Sequence, residues 1–145
     1  MSARTKLETF EEVYNRKLTA AEAYANRPRK WMLYTLIVLV SVVLSAFVDN
    51  IPYVATMLPV VQEIAARMNG GSGMPPELFY FGLLTGATLG GNLTPIGASA
   101  NIAAIGILRR NGEAVRTRDF LRIGVPFTLA AVLSGYGYLW LVWGG

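Results

Sequence analysis

The sequence predicts an all-α membrane protein made of a helical hairpin, a discontinuous transmembrane helix and a final transmembrane helix. Three apolar blocks carry this prediction, at residues 31–68, 77–108 and 120–143, and each is preceded by a more polar segment. Each block is long enough to cross a hydrocarbon core of about 30 Å at roughly 1.5 Å per helical residue. The first 30 residues are polar, and we interpret 1–30 as an amphipathic linker outside the membrane.

Composition supports a membrane protein and disfavours a soluble globular domain. The chain is 53% hydrophobic and 15% charged, and of its 13 Lys and Arg residues seven lie within 4–30 and five within 109–122. Basic residues beside apolar spans are typical of membrane-flanking anchors. We therefore expect the lipid bilayer as a partner and no nucleic acid, despite the net charge of +4.

The sequence has no cysteine and no histidine. Disulfides, thiolate chemistry and the usual soft metal sites are thereby disfavoured. One buried acid and no serine with a plausible base leave no acid–base pair for catalysis. We expect no enzyme activity and no cofactor.

The linker carries apolar residues at helical spacing, at Leu7, Phe10, Tyr14 and Leu18. This spacing is typical of a short amphipathic helix on the membrane surface, with a solvated connecting loop as the alternative. The basic and aromatic segment 27–31 then marks a membrane interface, and Pro28 is suited to start the next helix.

Residues 31–68 are too many for one crossing and suit two helices folded back on each other. Pro52 cannot continue a helix from the residues before it, but it can begin one. We predict a helical hairpin with arms at 31–47 and 53–67 and a tip at 48–52, which either spans the membrane or re-enters from one side.

Three charged residues lie inside the hairpin. Asp49 is at the predicted tip, where an ionised carboxylate costs at least a few kcal/mol in the bilayer and usually marks an ion or proton path. The alternative is that Asp49 only caps the second arm. Glu63 and Arg67, four residues apart, are most simply a solvated pair at the interface.

An uncharged turn at 69–76 precedes the second block, whose first half has small residues every four positions. Gly82, Gly86 and Gly90 form a stripe that lets another helix approach closely. We interpret this stripe as a packing surface rather than a ligand site.

The second block has a polar break at 92–97 where a simple anchor would carry leucine. The first half-helix ends at about Gly91, and Pro95 and Gly97 keep the break open. Freed backbone groups cannot face lipid, so the break must be buried in protein or line a wet cavity.

Discontinuous helices of this kind hold substrate and coupling ions in secondary transporters. The alternative is a neutral polar kink sealed by neighbouring helices. The break and its flanks offer four polar side chains: Asn92, Thr94, Ser99 and Asn101.

The final span, 120–143, ends in an aromatic belt of Tyr136, Tyr138, Trp140 and Trp143. The positive-inside rule places the basic loop 109–122 in the cytoplasm and the turn 69–76 and the C-terminus outside. A hairpin that returns to its starting side then puts the basic residues 27–30 outside as well, which conflicts with the same rule. We give the 109–122 loop more weight because it is short and lies between two clear spans.

Two segments together resemble the ion transporter superfamily: SAFVDNIPYVATMLPV at 45–60 and GGNLTPIGASAN at 90–101. The most similar branch contains the arsenite permeases, the NhaD-type sodium/proton antiporters and the P-protein permeases; citrate and dicarboxylate transporters are more distant. The resemblance implies two inverted repeats, each with a re-entrant hairpin and a broken helix. This chain would be the second repeat, one half of an inverted-repeat transporter.

The resemblance also implies an ion- and substrate-binding site built from the hairpin tip and the break. Its candidate residues are Asp49, Asn50, Thr56, Asn92, Thr94, Ser99 and Asn101, with the backbone opened at Pro52, Gly91, Pro95 and Gly97. Na⁺ would bind at Asp49, Asn50, Asn92 and Asn101. The dicarboxylate branch has a Ser-Asn-Thr type of tip, whereas Asp49 precedes Asn50 here, which favours cation or proton coupling.

The expected function is therefore Na⁺- or H⁺-coupled transport of an inorganic ion, by Na⁺/H⁺ antiport or arsenite-type efflux. The alternatives are a citrate or dicarboxylate permease, and a non-transporting membrane subunit that docks through the Gly82 stripe. The first repeat would come from the same full-length chain or from a partner chain, and a homodimer remains open. We expect the cytoplasmic membrane of a bacterium or archaeon.

Overall fold

The computed structural model describes the backbone of residues 3–72 and 76–144, and the side chains of residues 12–15, 17, 29–68 and 76–144. Within these residues the regular structure is entirely helical, which confirms the prediction of an all-α chain. There are five helices: α1 (Ala3–Ser45), α2 (Asn50–Ser72), α3 (Glu77–Gly90), α4 (Ser99–Arg110) and α5 (Thr117–Trp143).

The first helix is longer than predicted. We expected Pro28 to start a new helix, but α1 continues through it. A proline inside a helix removes one backbone hydrogen bond. The segment 20–25 just before Pro28 is rich in alanine, which has the highest helix propensity of all residue types. The predicted apolar face of the linker falls on Leu7, Phe10 and Leu18, whose side chains lie outside the described residues.

The hairpin turn lies at 46–49, slightly before the predicted tip. Because α2 begins at Asn50, Pro52 lies in its first turn, where a missing N–H has no helical partner to lose. The two arms are joined by a buried hydrogen bond, 3.1 Å long, from the Tyr53 hydroxyl to Ser41 Oγ. The second arm extends to Ser72, so part of the predicted uncharged turn is helical.

Helices α1 and α3 run parallel in a constant register. Each glycine of the α3 stripe lies against the α1 residue 48 positions before it: Gly82 against Tyr34, Gly86 against Val38 and Gly90 against Val42. A Cβ atom at Gly86 would lie 2.6 Å from the Val38 carbonyl oxygen, and one at Gly90 would lie 2.6 Å from the Val42 carbonyl oxygen. The stripe is therefore covered by α1, which leaves it unavailable as an exposed docking face.

Helix α3 is at the centre of the chain, in contact with α1, α2 and α5. Its buried side chains Leu78, Phe79 and Leu83 form part of one apolar core. On the other side of this core α5 runs antiparallel to α1 and α3. The Tyr34 hydroxyl donates to the Tyr136 carbonyl oxygen at 2.9 Å, and the two rings stack with centroids 4.8 Å apart.

Among the helices in the described part of the chain, one, Thr117–Trp143, has both the length and the apolar composition to cross a membrane unaided. We expected membrane segments from all three blocks. In the other two, the apolar residues are divided between helices that turn back or stop: α3 and α4 have 14 and 12 residues. At about 1.5 Å per residue, each is shorter than the hydrocarbon core.

Candidate functional site

Four helix ends meet at the hairpin turn and the break. Helices α1 and α3 end there, at Ser45 and Gly90, and α2 and α4 begin there, at Asn50 and Ser99. Helix C-termini present unpaired carbonyl oxygens and partial negative charge, whereas N-termini present N–H groups and partial positive charge. The junction therefore offers groups that attract cations beside groups that attract anions.

The break is held against the end of α1 by backbone carbonyl groups. The Thr94 hydroxyl donates a hydrogen bond to the Ala46 carbonyl oxygen. A Cβ atom at Gly97 would lie 2.8 Å from that same oxygen, 2.9 Å from the Ser45 oxygen and 2.6 Å from the Gly91 oxygen. Three carbonyl oxygens thus crowd around Gly97, and a larger residue there would force the backbone apart.

Asn101 closes the break from the side of α4. Its side-chain amide donates to the Gly91 carbonyl oxygen at 2.9 Å and to the Thr94 carbonyl oxygen at 3.2 Å. Both acceptors belong to the irregular segment between α3 and α4. One side chain therefore gives the Gly91 carbonyl group a partner and adds a second hydrogen bond to the Thr94 carbonyl group, which also accepts from the Gly97 N–H at 3.3 Å.

Asp49 connects the hairpin to the break. Its Oδ2 accepts a hydrogen bond, 3.3 Å long, from the backbone N–H of Ser99, the first residue of α4. We considered a side-chain cap on α2 as the alternative role of Asp49, but the carboxylate caps α4 instead. Only the Asp49 main-chain carbonyl serves α2, accepting from the Tyr53 N–H at 3.2 Å. The Asp49 carboxylate can reach α4 because the N-terminus of α4 lies next to the hairpin turn at 46–49.

Of the other residues predicted for the binding site, Thr56 lies away from the junction. Asn50 is the half-buried first residue of α2, and Asn92 and Pro95 are half-buried in the break. Thr56 is exposed, and its hydroxyl donates to the Pro52 carbonyl oxygen of its own helix at 2.8 Å. The structure therefore brings Thr56 to neither the break nor α4.

Three residues at this junction were missed by the sequence analysis. Ser45 Oγ donates to the Ala87 carbonyl oxygen at 2.5 Å, and Ser41 accepts from Tyr53 one turn earlier. Both serines are buried, and their four-residue spacing in an apolar helix is a signal that could have identified them. A Cβ atom at Gly124 would lie 2.8 Å from the Asn92 carbonyl oxygen, a close approach that the sequence does not reveal.

A cleft of about 540 Å³ opens between α4 and α5 beside the break. Asn92 and Asn101 line it together with apolar side chains that include Ile105, Phe120 and Phe127. The junction is therefore accessible from this side. In the described part of the chain no three His, Cys, Asp or Glu residues cluster, so a cation at the junction would be held by carbonyl, amide and hydroxyl oxygens with the one carboxylate. Hard oxygen ligands of this kind suit alkali cations.

The sequence model of the citrate transporter family matches residues 19–144. An uncharacterized transporter of Mycobacterium tuberculosis is 44% identical over 106 residues, which are 73% of this chain and 24% of that protein. The 46 kDa membrane protein of Mycobacterium leprae is 40% identical over 102 residues, 70% of this chain and 23% of that protein. The human P protein is 34% identical over 139 residues, 96% of this chain and 16% of that protein.

The chain thus spans a quarter or less of the length of these curated relatives. No solved structure matches it significantly. The two mycobacterial relatives are named as a transporter and as a membrane protein, and the family-model match covers most of the chain. The chain therefore belongs to the citrate transporter family, within the ion transporter superfamily, and is part of an integral membrane protein.

Proposed function

We propose that this chain supplies half of the ion- and substrate-binding site of a secondary active transporter that couples Na⁺ or H⁺ to the movement of an inorganic ion. The observation that carries the proposal is the hydrogen bond from the Ser99 N–H to the Asp49 carboxylate. A single acid thereby joins two elements, the hairpin turn and the broken helix, that would have to move relative to each other during transport.

Asp49 would act as the coupling group. Protonation of its carboxylate, or Na⁺ binding to it, would weaken the electrostatic attraction to the N-terminus of α4. The carbonyl groups of Ser45, Ala46 and Gly91, which converge on Gly97, would supply oxygens for a cation at the junction. Occupancy would shift the balance between two arrangements of the hairpin and the broken helix, as alternating access requires.

Na⁺/H⁺ antiport and arsenite-type efflux are the two inorganic forms of this proposal. A carboxylate such as citrate is the second candidate, supported by the description of the family whose model matches the chain. The N-terminus of α4 is a group to which an anion binds favourably. Asp49 already places a negative charge there, which supports a cation or proton at this position over a carboxylate.

The other half of the site would come from the remainder of a longer protein or from a partner chain. Two observations support this. The relatives are at least four times as long as the matched segment. All twelve residues of α4 are described, and none of them is buried. The exposed apolar side chains of Ile102, Ile107 and Leu108 would be covered in the complete transporter. We place the protein in the cytoplasmic membrane of a bacterium or archaeon, as an expectation.

The test is Asp49→Asn in the whole transporter, assayed in everted membrane vesicles with a fluorescent probe of the pH gradient. The wild-type protein should collapse the gradient when Na⁺ or Li⁺ is added, and Asp49→Asn should abolish this response because the amide does not titrate. Glu63→Gln is the matched control. Glu63 is also an acid of the hairpin, but it pairs with Arg67 at 2.8 Å on an exposed surface.

The proposal fails if Asp49→Asn transports as well as the wild type while both variants insert normally. If the wild-type vesicles show no Na⁺ or Li⁺ response, the two other substrates are compared directly. Asp49-dependent lowering of cellular arsenic would assign arsenite efflux, and Asp49-dependent uptake of labelled citrate would assign the carboxylate candidate.

A further inference from the structure

A second cleft, of about 810 Å³, lies at the start of α5, and no residue of the hairpin or the break lines it. Three arginines line it, at positions 116, 118 and 122, and its apolar wall is formed by Leu121, Val125 and Pro126. The cleft thus combines basic and apolar lining residues, and further along α5 the apolar side chain of Leu129 is 52% exposed.

The three guanidinium groups are available to a ligand. Among the described residues, no carboxylate lies within salt-bridge distance of Arg116, Arg118 or Arg122. Asp119 also lines the cleft, so the charge of the lining is three positive against one negative. The cleft therefore keeps an excess of positive charge that the chain itself does not neutralise.

The loop before α5 is ordered by its own hydrogen bonds. Arg109 Nη2 donates to the Val115 carbonyl oxygen at 3.3 Å, and the Glu113 N–H donates to the Leu108 carbonyl oxygen at 3.0 Å. Gly112, at φ 88°, makes the left-handed turn that this path requires. The basic residues that follow are thus presented at defined positions.

The cleft lies at the end of the helix that is suited to cross the membrane. Because α5 has the length and composition of a transmembrane helix, its first turn belongs near the level of the lipid headgroups. The N-cap residue, Arg116, makes no side-chain hydrogen bond to that turn, so the partial positive charge of the helix end adds to that of the arginines.

We propose that this cleft binds the phosphate headgroup of an anionic phospholipid. Guanidinium groups bind phosphate oxygens through pairs of parallel hydrogen bonds, which a diffuse cationic surface does not provide. The acyl chains would lie along Leu121, Val125 and Pro126 on the membrane side of the cleft. This binding site is independent of the ion coupling proposed for Asp49.

The proposal is tested with the whole protein in nanodiscs of phosphatidylcholine doped with increasing amounts of phosphatidylglycerol or cardiolipin, with bound lipid measured by native mass spectrometry. The combined variant Arg116→Gln, Arg118→Gln, Arg122→Gln should retain far less anionic lipid. At about 1 kcal/mol for each basic residue near an anionic surface, each substitution should lower the affinity about fivefold.

The matched control is Arg110→Gln, which removes a nearby positive charge outside the cleft and leaves the hydrogen bond from Arg109 to the Val115 carbonyl oxygen in place. The fall in affinity for anionic lipid per removed charge is compared between the triple Arg→Gln variant and the control. If the two values are equal, the attraction is a general effect of surface charge and the proposal is wrong. The triple Arg→Lys variant separates the two explanations further because it preserves charge and membrane orientation. Lipid binding should weaken in this variant, and unchanged binding would contradict a guanidinium site. Displacement of the lipid by millimolar inorganic phosphate would assign the cleft to a soluble anion instead.

Discussion

At the scale of single residues, the junction depends on small or short polar side chains that reach backbone carbonyl groups. Thr94 and Asn101 donate to carbonyl oxygens of the α1 end and of the break itself. Gly97 is surrounded by three such oxygens. Unpaired carbonyl groups are costly away from water, so these contacts decide whether an interrupted helix is tolerated in a membrane.

Gly97→Ala should destabilise the junction, because its Cβ atom would lie 2.6–2.9 Å from three backbone carbonyl oxygens that cannot rotate away. The cost should be about 1–3 kcal/mol, the usual range for overpacking. Thermal unfolding of the detergent-purified protein measures it. Gly106→Ala is the control: nothing lies within 4 Å of its Cβ position in α4. That variant should be neutral or stabilised by roughly 0.5–1 kcal/mol through helix propensity. Equal melting temperatures for the two variants would contradict the packing described at Gly97.

The two candidate threonines should differ sharply. Thr94→Val removes the hydrogen bond to the Ala46 carbonyl oxygen and should cost about 1–2 kcal/mol in unfolding free energy. Thr56→Val removes only an exposed bond within α2 and should change stability by less than about 0.5 kcal/mol. Initial rates of coupled transport provide a second measurement, on which Thr94→Val alone should be impaired. A transport defect found only in Thr56→Val would contradict this expectation and would indicate that Thr56 belongs to the binding site.

At the scale of helices, the parallel pair α1 and α3 fixes the position of the break. Their three glycine contacts keep one register along about two turns, and the next position in that register brings Ala46 to Thr94. The register of the glycine stripe therefore determines which α1 carbonyl groups reach the break. Close helix contact through small residues is a common way to stabilise helix pairs in membranes.

Enlarging the stripe should separate the two helices. At Gly86 and Gly90 the nearest backbone atoms are 2.6 Å from a Cβ position, so Gly86→Ala and Gly90→Ala should each cost about 1–3 kcal/mol. At Gly82 the nearest atoms belong to the Tyr34 ring, at 2.8 Å, and a side chain yields more readily than a backbone, so Gly82→Ala should cost less. Gly137→Ala, with nothing within 4 Å, is the control. Thermal unfolding should rank the four variants in this order, and a neutral Gly90→Ala would disprove the register.

The sequence predicted the type of these elements better than their ends. Glycine spacing indicated a packing stripe and proline with polar residues indicated a break, because both signals are local. The Pro28 boundary was wrong, because α1 continues through this proline despite the backbone hydrogen bond that a proline removes. The hydrogen bond from Ser99 to Asp49 was not predicted, because Ser99 is fifty residues further along the chain; the alternative role considered for Asp49 was a cap on the nearby second arm.

At the scale of the whole molecule, basic residues are concentrated in two segments, 4–30 and the loop before α5. The loop 109–122 carries five arginines against two acids. Such a bias sets the orientation of short loops towards the cytoplasm. The relatives are several times longer than this chain, so orientation is best measured in the complete transporter.

A single cysteine at position 113 tests this orientation. The chain has no cysteine of its own, so Glu113→Cys introduces one reactive group into this segment once any cysteines elsewhere in the protein are replaced. A membrane-impermeant maleimide should label it in everted vesicles and not in intact cells, whereas Gly145→Cys should show the opposite pattern. Labelling of position 113 in intact cells would place the loop outside and reverse the predicted topology.

The sequence by itself determined the helical class, the polar break, the glycine stripe and the family to which the chain belongs. These properties follow from composition and short spacing, which are independent of how distant segments meet. The tertiary structure decided that α1 covers the stripe, that Asp49 caps α4, and that Thr56 lies away from the junction. It also brought Ser45 and Gly124 to the break. Each of these contacts joins residues more than thirty positions apart or depends on the direction of a helix face, and only the packing of the helices fixes such relations.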